Sequence, residues 1–451
     1  MPVPMNWVTT RRGCLTAGAL GAAGLSLPRW LAARDAAPSG LTAKADACIL
    51  LFLDGGPSHL DMWDMKPNAP VEVRGEFQSI ETSLPGYRMC ELLPRLARQA
   101  HRSTIIRSMH HSVNNSHAGA VYCAMTGHDR GEQGGGAKPS DNPSPGSVLG
   151  KLRPPTKPVI PYVHLPYITK EGAGGPPQPG FFGGYLGRAT DPLFVTRDPN
   201  AADFTIPELS LTGDVNAARL AGREQLFALL ERPPLAESIS PPAQMSRFQE
   251  RAFHLLNSVD TQRAFRLQDE ADAVRDRYGR NIYGQSTLLA RRLIEAGTRL
   301  VTVSWAPDAN ATWDTHGGNF TKLRGELLPQ LDLAAGSLID DLAERGLLER
   351  TVVAILGDFG RSPKINGGAG RDHWNWCYSL QLIGGGFQQG LIYGASDKIG
   401  AYPAESPLIP GDVIATLYTA LGIAPETELR DNLNRPHRLV PIGDVVPELL
   451  G

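Results

Sequence analysis

Cys48-Ile49-Leu50-Leu51-Phe52-Leu53-Asp54-Gly55-Gly56-Pro57 is a continuous apolar run that stops at an acidic, glycine-rich loop. Six apolar side chains in a row leave no polar face, so the run reads as a strand buried on both sides and central in a sheet. The same reading makes strands of Ser103 to Arg107, Val159 to Leu165, Arg299 to Trp305, Thr351 to Leu356 and Tyr378 to Ile383. Helical spacing is expected over Glu91 to Arg102, Asp214 to Arg232, Tyr283 to Ala296, Asn319 to Arg345 and Asp412 to Leu421. Pro241-Pro242 opens a further long helical segment to about Tyr278, whose charge-rich part from Arg247 reads as a solvated face. Strand and helix alternate, so the fold class is α/β with a mainly parallel sheet flanked by helices. The block at about 210–297 is expected to be a helical cap or insertion in an α/β domain spanning about 45–445.

The chain carries 49 glycines and 37 prolines in 451 residues, an excess that means much irregular surface. Gly131 to Pro158 and Gly172 to Gly187 hold part of it and read as surface stretches. A formal net charge of −2 gives no basic footprint for nucleic acid. Thr10-Arg11-Arg12-Gly13-Cys14-Leu15, the small and apolar Ala17 to Leu27, and the alanine-rich Leu31 to Ala37 have the layout of a twin-arginine export signal over residues 1–37. The expected location is periplasmic, extracellular or cell-surface, with no stable membrane span. Beyond Cys14, the cysteines Cys48, Cys90, Cys123 and Cys377 have no zinc-ribbon rhythm, and bridges and buried thiols both remain open.

Ligands of open α/β sheets bind beyond the carboxyl ends of the strands, so the polar residues after each apolar run matter most. The first strand is followed by Asp54, His59 and Asp61, the second by His110, His111, Asn114, Asn115, Ser116 and His117. Trp305 leads into Asp314 and His316, and Leu356 into Asp358 and Arg361, with Arg371, Asp372 and His373 a loop later. Carboxylates and imidazoles are the ligands of divalent metals, and clustered carboxylates need a cation against their repulsion. Each position alone also fits a helix cap or a surface histidine; their joint placement points to a metal site. Asp61 and Asp64 read as caps or surface residues. Trp374 and Trp376 wall a pocket or serve packing. Gly134-Gly135-Gly136 and Gly384-Gly385-Gly386 match no dinucleotide or phosphate loop, and no Gly-x-Ser-x-Gly elbow occurs.

Five ordered motifs are recognisable: Leu53-Asp54-Gly55-Gly56-Pro57-Ser58-His59, Arg74-Gly75-Glu76-Phe77, Trp313-Asp314-Thr315-His316-Gly317, Gly357-Asp358-Phe359-Gly360-Arg361-Ser362-Pro363 and Gly370-Arg371-Asp372-His373-Trp374. Over about 45 to 440 the chain resembles the secreted family known as domain of unknown function 1501, a branch of the alkaline phosphatase and sulfatase superfamily. The resemblance implies a doubly wound, alkaline phosphatase-like sheet and one or two divalent ions (Zn, Mn, Ca or Mg). It implies metal ligation by Asp54, Asp314, His316, Asp358 and His373. Phe359 stands where the superfamily often has histidine, a ligand that His373, His117 or His59 would supply; His117 is taken. Asn115-Ser116 is similar to a nucleophile segment of that superfamily, which makes Ser116 the expected nucleophile and Ser112 the second choice. Arg361 or Arg371 would clamp the oxyanion. The sulfatase Cys/Ser-x-Pro-x-Arg motif is absent. The expected function is an exported metal-dependent hydrolase of phosphate or sulfate esters, acting on a small-molecule or glycan ester. The alternative is a non-catalytic, metal-stabilised binding or scaffold protein of the cell surface.

Overall fold

Among the described residues, eight strands make the central sheet: β1 Ala47–Phe52, β2 Ser103–Met109, β3 Tyr162–Leu165, β4 Leu193–Phe194, β5 Leu300–Ser304, β6 Thr351–Leu356, β7 Tyr378–Gly384 and β8 Leu391–Tyr393. The computed structural model describes residues 41–113, 116–131, 134–206, 219, 222 and 258–451. Strand order is β8-β2-β7-β6-β1-β5-β3-β4, which places β1 well inside the sheet. Every pairing is parallel except the two made by β7. The sheet is therefore mainly parallel and doubly wound.

Alternation along β1 divides the apolar core into two layers. Ile49 and Leu51 face a layer that includes helices Ile282–Ala296 and Leu328–Glu344. Cys48, Leu50 and Phe52 face the opposite layer, with helices His117–Thr126, Pro145–Leu152 and Pro410–Ala420. In chain order these five helices are α1 (His117–Thr126), α2 (Pro145–Leu152), α3 (Ile282–Ala296), α4 (Leu328–Glu344) and α5 (Pro410–Ala420). Successive side chains of a strand point to opposite faces, so an unbroken apolar run is what a strand covered on both sides requires.

The α3 boundaries follow from local chemistry. Asn281 Oδ1 accepts the Tyr283 and Gly284 amides at the N-terminus, and Gly297 ends the helix with φ +117°. The expected helix over Asn319 to Arg345 contains a wider π turn at Leu323–Leu327 before α4. Pro329 at the start of α4 has no N–H to donate back into that turn, so the regular ladder is interrupted there.

Several expectations change. β7 runs antiparallel, and this matters for the site below. The described part of the expected long helix is two short ones, Val259–Phe265 and Asp272–Tyr278, separated by a turn. The end of the expected insertion, α3, packs on β1, β5 and α4 and so belongs to the sheet's helical layer. Residues 207–218, 220–221 and 223–257, with the expected helix Asp214 to Arg232, lie outside the described residues, as does the 1–37 export signal. Cys48, Cys90, Cys123 and Cys377 are all buried free thiols. Asp61 and Asp64 are buried rather than superficial, because each has a cationic partner: Arg371 for Asp61, and Lys66 and Arg107 for Asp64. No helix among the described residues is long and apolar enough to cross a membrane.

Candidate metal centre

Two buried aspartates meet at the carboxyl edge because of strand register. Phe52 pairs with Leu356 across β1 and β6, and Asp54 and Asp358 each follow two residues later. Asp54 Oδ2 accepts the Trp305 amide at 2.8 Å, and the Asp54 carbonyl accepts from Trp313 N and Thr312 Oγ1. That aspartate thus anchors the loop from β5 to Asp314. Gly55, at φ +106°, lets this loop close in: a Cβ there would lie 2.5 Å from Asp314 N and 2.7 Å from the Ala309 carbonyl.

His117 enters as the first residue of α1. Ser116 caps that helix from an extended backbone, its Oγ accepting the Gly119 amide at 3.2 Å. His117 Nδ1 donates to Asp358 Oδ2 at 2.6 Å, which turns Nε2 toward Asp314, 3.6 Å from its Oδ1. Asp314 Oδ1 is a hub. His316 Nε2 stands 3.1 Å from it, His373 Nε2 3.2 Å, and Arg361 Nη2 donates at 2.6 Å. His373 arrives by a two-residue pairing in which His373 opposes Arg361 and Trp374 opposes Gly360. This hairpin leads directly into antiparallel β7, whose amino end therefore sits where the parallel strands end. Phe359 floors the group, its ring 5.0 Å from His117 and 4.5 Å from His373 between centroids.

His117, Asp314 and His373 each offer a ligand atom, and these atoms lie within 4.8 Å of one another. Three atoms around them are buried without a hydrogen-bond partner: Asp54 Oδ1, Asp358 Oδ1 and His117 Nε2. Burial and the neighbouring Asp358 charge push the Asp54 carboxyl well above the usual carboxylate range. Burial opposes ionisation of Asp314 too, but His117, His373 and the Arg361 guanidinium hold its carboxyl well below that range. His117 is pulled down by burial, yet Asp358 and Asp314 raise it to about 9. Such a set of buried carboxylates and imidazoles with vacant lone pairs fits a divalent cation, which would satisfy the orphaned oxygens and the like-charge pair together.

The structure brings Asp54, His117, Asp314, His316, Asp358 and His373 into one neighbourhood, with His316 at its exposed rim. His316 Nδ1 lies 3.1 Å from Asp372 Oδ1, the arrangement that orients a ligating imidazole. His59 lies apart, its Nε2 donating to the Gly400 carbonyl, while His111 Nε2 donates to the Asp358 carbonyl. Ser112 is exposed and donates to Asp129. Arg361 is fully buried and donates to the Gly55, Gly56 and Arg371 carbonyls as well as to Asp314. Arg371, equally buried, is engaged by Asp61 and by the Ser362, Pro363 and Val73 carbonyls. Trp374 donates from its indole to the Ala401 carbonyl, and Trp376 is exposed.

Thr169 and Glu171 also border the group, and residue-type reasoning passed over them. The Thr169 hydroxyl donates to the Ala306 carbonyl close to the Asp54 carboxylate, and Glu171 lies close to the Ala118 amide beside His117. Both follow β3 closely, so applying the strand-end rule to that strand would have found them.

Residues 45–450 match the family described as "Protein of unknown function (DUF1501)". The chain belongs to that family. No curated protein matches the chain. Solved structures similar to this member of the family include Ps i-CgsB, at 10% identity over 88% of this chain and 76% of that chain, with a TM-score of 0.41. The PsFucS1 sulfatase from Pseudoalteromonas sp. is 11% identical over 84% of this chain and 68% of that one (TM-score 0.38). A protein in the alkaline phosphatase superfamily from Vibrio parahaemolyticus is 10% identical over 86% and 68% (TM-score 0.37).

Proposed function

We propose that the chain is an exported metal-dependent hydrolase of phosphate or sulfate esters. The observation that carries the reading is the buried pair Asp54 and Asp358, each with an unpartnered oxygen, beside a histidine nitrogen in the same condition. His117, Asp314 and His373, with Asp54, Asp358 and His316 around them, would hold one or two ions of the Zn, Mn, Ca or Mg class. A divalent ion held there would lower the pKa of an adjacent hydroxyl and neutralise charge on the ester oxygens. Export through the twin-arginine pattern of residues 1–37 belongs to the same proposal.

Ser116 is the proposed nucleophile. It precedes the ligand His117 and occupies the N-terminus of α1, where amide groups and the helix dipole favour negative charge on its oxygen. Its Oγ would form the bond to phosphorus or sulfur as the ester's alcohol oxygen leaves. Asp358 holds His117 through Nδ1, and Arg361 holds Asp314 against the Gly55-Gly56 turn. Arg361 is thus read as a positioning residue, and Arg371 as the partner of Asp61; their filled donors replace the expected oxyanion clamp. The scaffold reading draws on one observation, that Ser116 Oγ already serves as a helix cap.

Elemental analysis of the purified protein and an ester panel with and without chelator test the proposal. Bound divalent metal and chelator-sensitive ester cleavage are expected. Ser116→Ala should abolish turnover while leaving metal content intact; full turnover in that variant removes Ser116 from the mechanism. Metal bound with no ester cleaved would favour the scaffold.

A further inference from the structure

The Gly/Pro-rich stretch after β3 is a hairpin whose inner face borders the candidate site. Lys170 and Pro177 form an antiparallel bridge, flanked by Glu171 N to Pro176 O at 3.0 Å and Gln178 N to Thr169 O at 2.8 Å. Thr169 therefore opposes Gln178. Side chains alternate along a strand and directly opposed residues share a face, so Thr169, Glu171 and Gln178 project to one side and Lys170 to the other. Two neighbours identify that side: Thr169 lies close to the Asp54 carboxylate, and Glu171 lies close to the Ala118 amide next to His117. Lys170 also bridges to Asp308, with the Ala309 amide donating to the Lys170 carbonyl, which stitches the hairpin to the loop that carries Asp314.

On this inner face, Gln178 is fully buried, and neither its Oε1 nor its Nε2 has a hydrogen-bond partner. Glu171 Oε2 is likewise buried and unpartnered. An unpaired buried amide is costly, so its presence in a wall of a candidate active site marks a place for a polar ligand.

We propose that Glu171 and Gln178 bind the hydroxyl groups of the substrate's leaving group. The inference rests on the hydrolase reading and adds the class of ester: one formed by a polyhydroxylated alcohol such as a sugar or glycerol. A carboxylate repels the ester's own anionic oxygens and accepts only from donors, while an amide both donates and accepts; neighbouring hydroxyls match that pair. A site built to hydrogen-bond hydroxyls discriminates strongly against an analogue lacking them, because its own buried groups are then left unpaired.

The test compares wild type, Glu171→Gln and Gln178→Leu, all metal-loaded, on glucose 6-phosphate, glucose 6-sulfate, glycerol 1-phosphate, p-nitrophenyl phosphate and p-nitrophenyl sulfate. Each variant should lose at least tenfold in kcat/KM on the hydroxylated ester that the enzyme accepts, chiefly through KM. Aryl ester turnover should stay within about twofold, with metal content unchanged. The glucose and glycerol arms separate sugar from glycerol as the source of the hydroxyls. Equal losses on both ester types, or loss of metal in Glu171→Gln, would overturn the assignment. Calorimetric binding of the same hydroxylated esters decides the hairpin independently of turnover. Binding that both variants weaken tenfold supports it even if no ester is cleaved and the hydrolase reading fails. No binding by wild type, or equal binding by all three proteins, overturns it.

Discussion

Asp54 and Asp358 stand side by side at the carboxyl edge because Phe52 and Leu356 are paired in parallel register and each aspartate follows two residues later. Neither is exposed, and each has one oxygen with no hydrogen-bond partner. Two such carboxylates are mutually repulsive without a cation, so removing one charge should help the metal-free chain while harming metal binding. Asp54→Asn is expected to raise the Tm of chelated protein and to weaken metal binding at least tenfold, read by calorimetry and elemental analysis. Unchanged metal affinity would remove Asp54 from the ligand set.

The metal-free chain should lose stability as pH rises from about 6.5 to 9. His117 has a folded pKa raised to about 9 from 6.5, so its contribution is full below the lower value and lost through the upper one. The size of the effect is on the order of 3 kcal/mol at most. Urea unfolding of chelated protein at pH 6 and pH 9 measures it, and His117→Gln should flatten the difference.

Gly55→Ala should damage the site at a distance. The added Cβ meets Asp314 N and the Ala309 carbonyl, both backbone atoms, at a positive φ that alanine resists. A destabilisation of roughly 1–3 kcal/mol is expected, with at least tenfold weaker metal binding as the Asp314 loop shifts. Chemical unfolding and metal titration of one variant report both.

Arg371→Met should leave Asp61 charged and buried without its ion-pair partner. The cost of breaking such a pair is about 3–5 kcal/mol. The loss should appear in unfolding of the chelated and metal-loaded protein alike, which distinguishes a structural arginine from one that contacts substrate.

Asp372→Asn should weaken metal binding about tenfold with little change in unfolding, since the exposed Asp372 carboxylate orients His316 and otherwise accepts only from the exposed Asn366 amide. An unchanged affinity would place His316 outside the metal shell.

The elements were legible in the chain because they are local. An apolar run such as Cys48 to Leu53 can be satisfied only by burial on both faces, and the residue that ends it must lie at a sheet edge. That reasoning found Asp54, His117, Asp314 and Asp358 as candidates without any knowledge of which strands are neighbours. The hydrogen-bonding state of a charge is not local, which is why Asp61 and Asp64 read as superficial and Arg371 as a clamp. Only the folded chain shows that Asp61 and Arg371 neutralise each other inside the protein.

By itself, then, the sequence determined an α/β chain with acidic and imidazole groups at its strand ends. Tertiary pairing decided the rest. The antiparallel course of β7 brings His373 to the edge where parallel strands finish, and register alone sets Asp54 beside Asp358. A bridge between Lys170 and Pro177 turns what reads as a surface stretch into a wall beside His117. Such contacts join residues far apart in the chain or depend on which face a short hairpin turns inward, and side-chain periodicity carries no information about either.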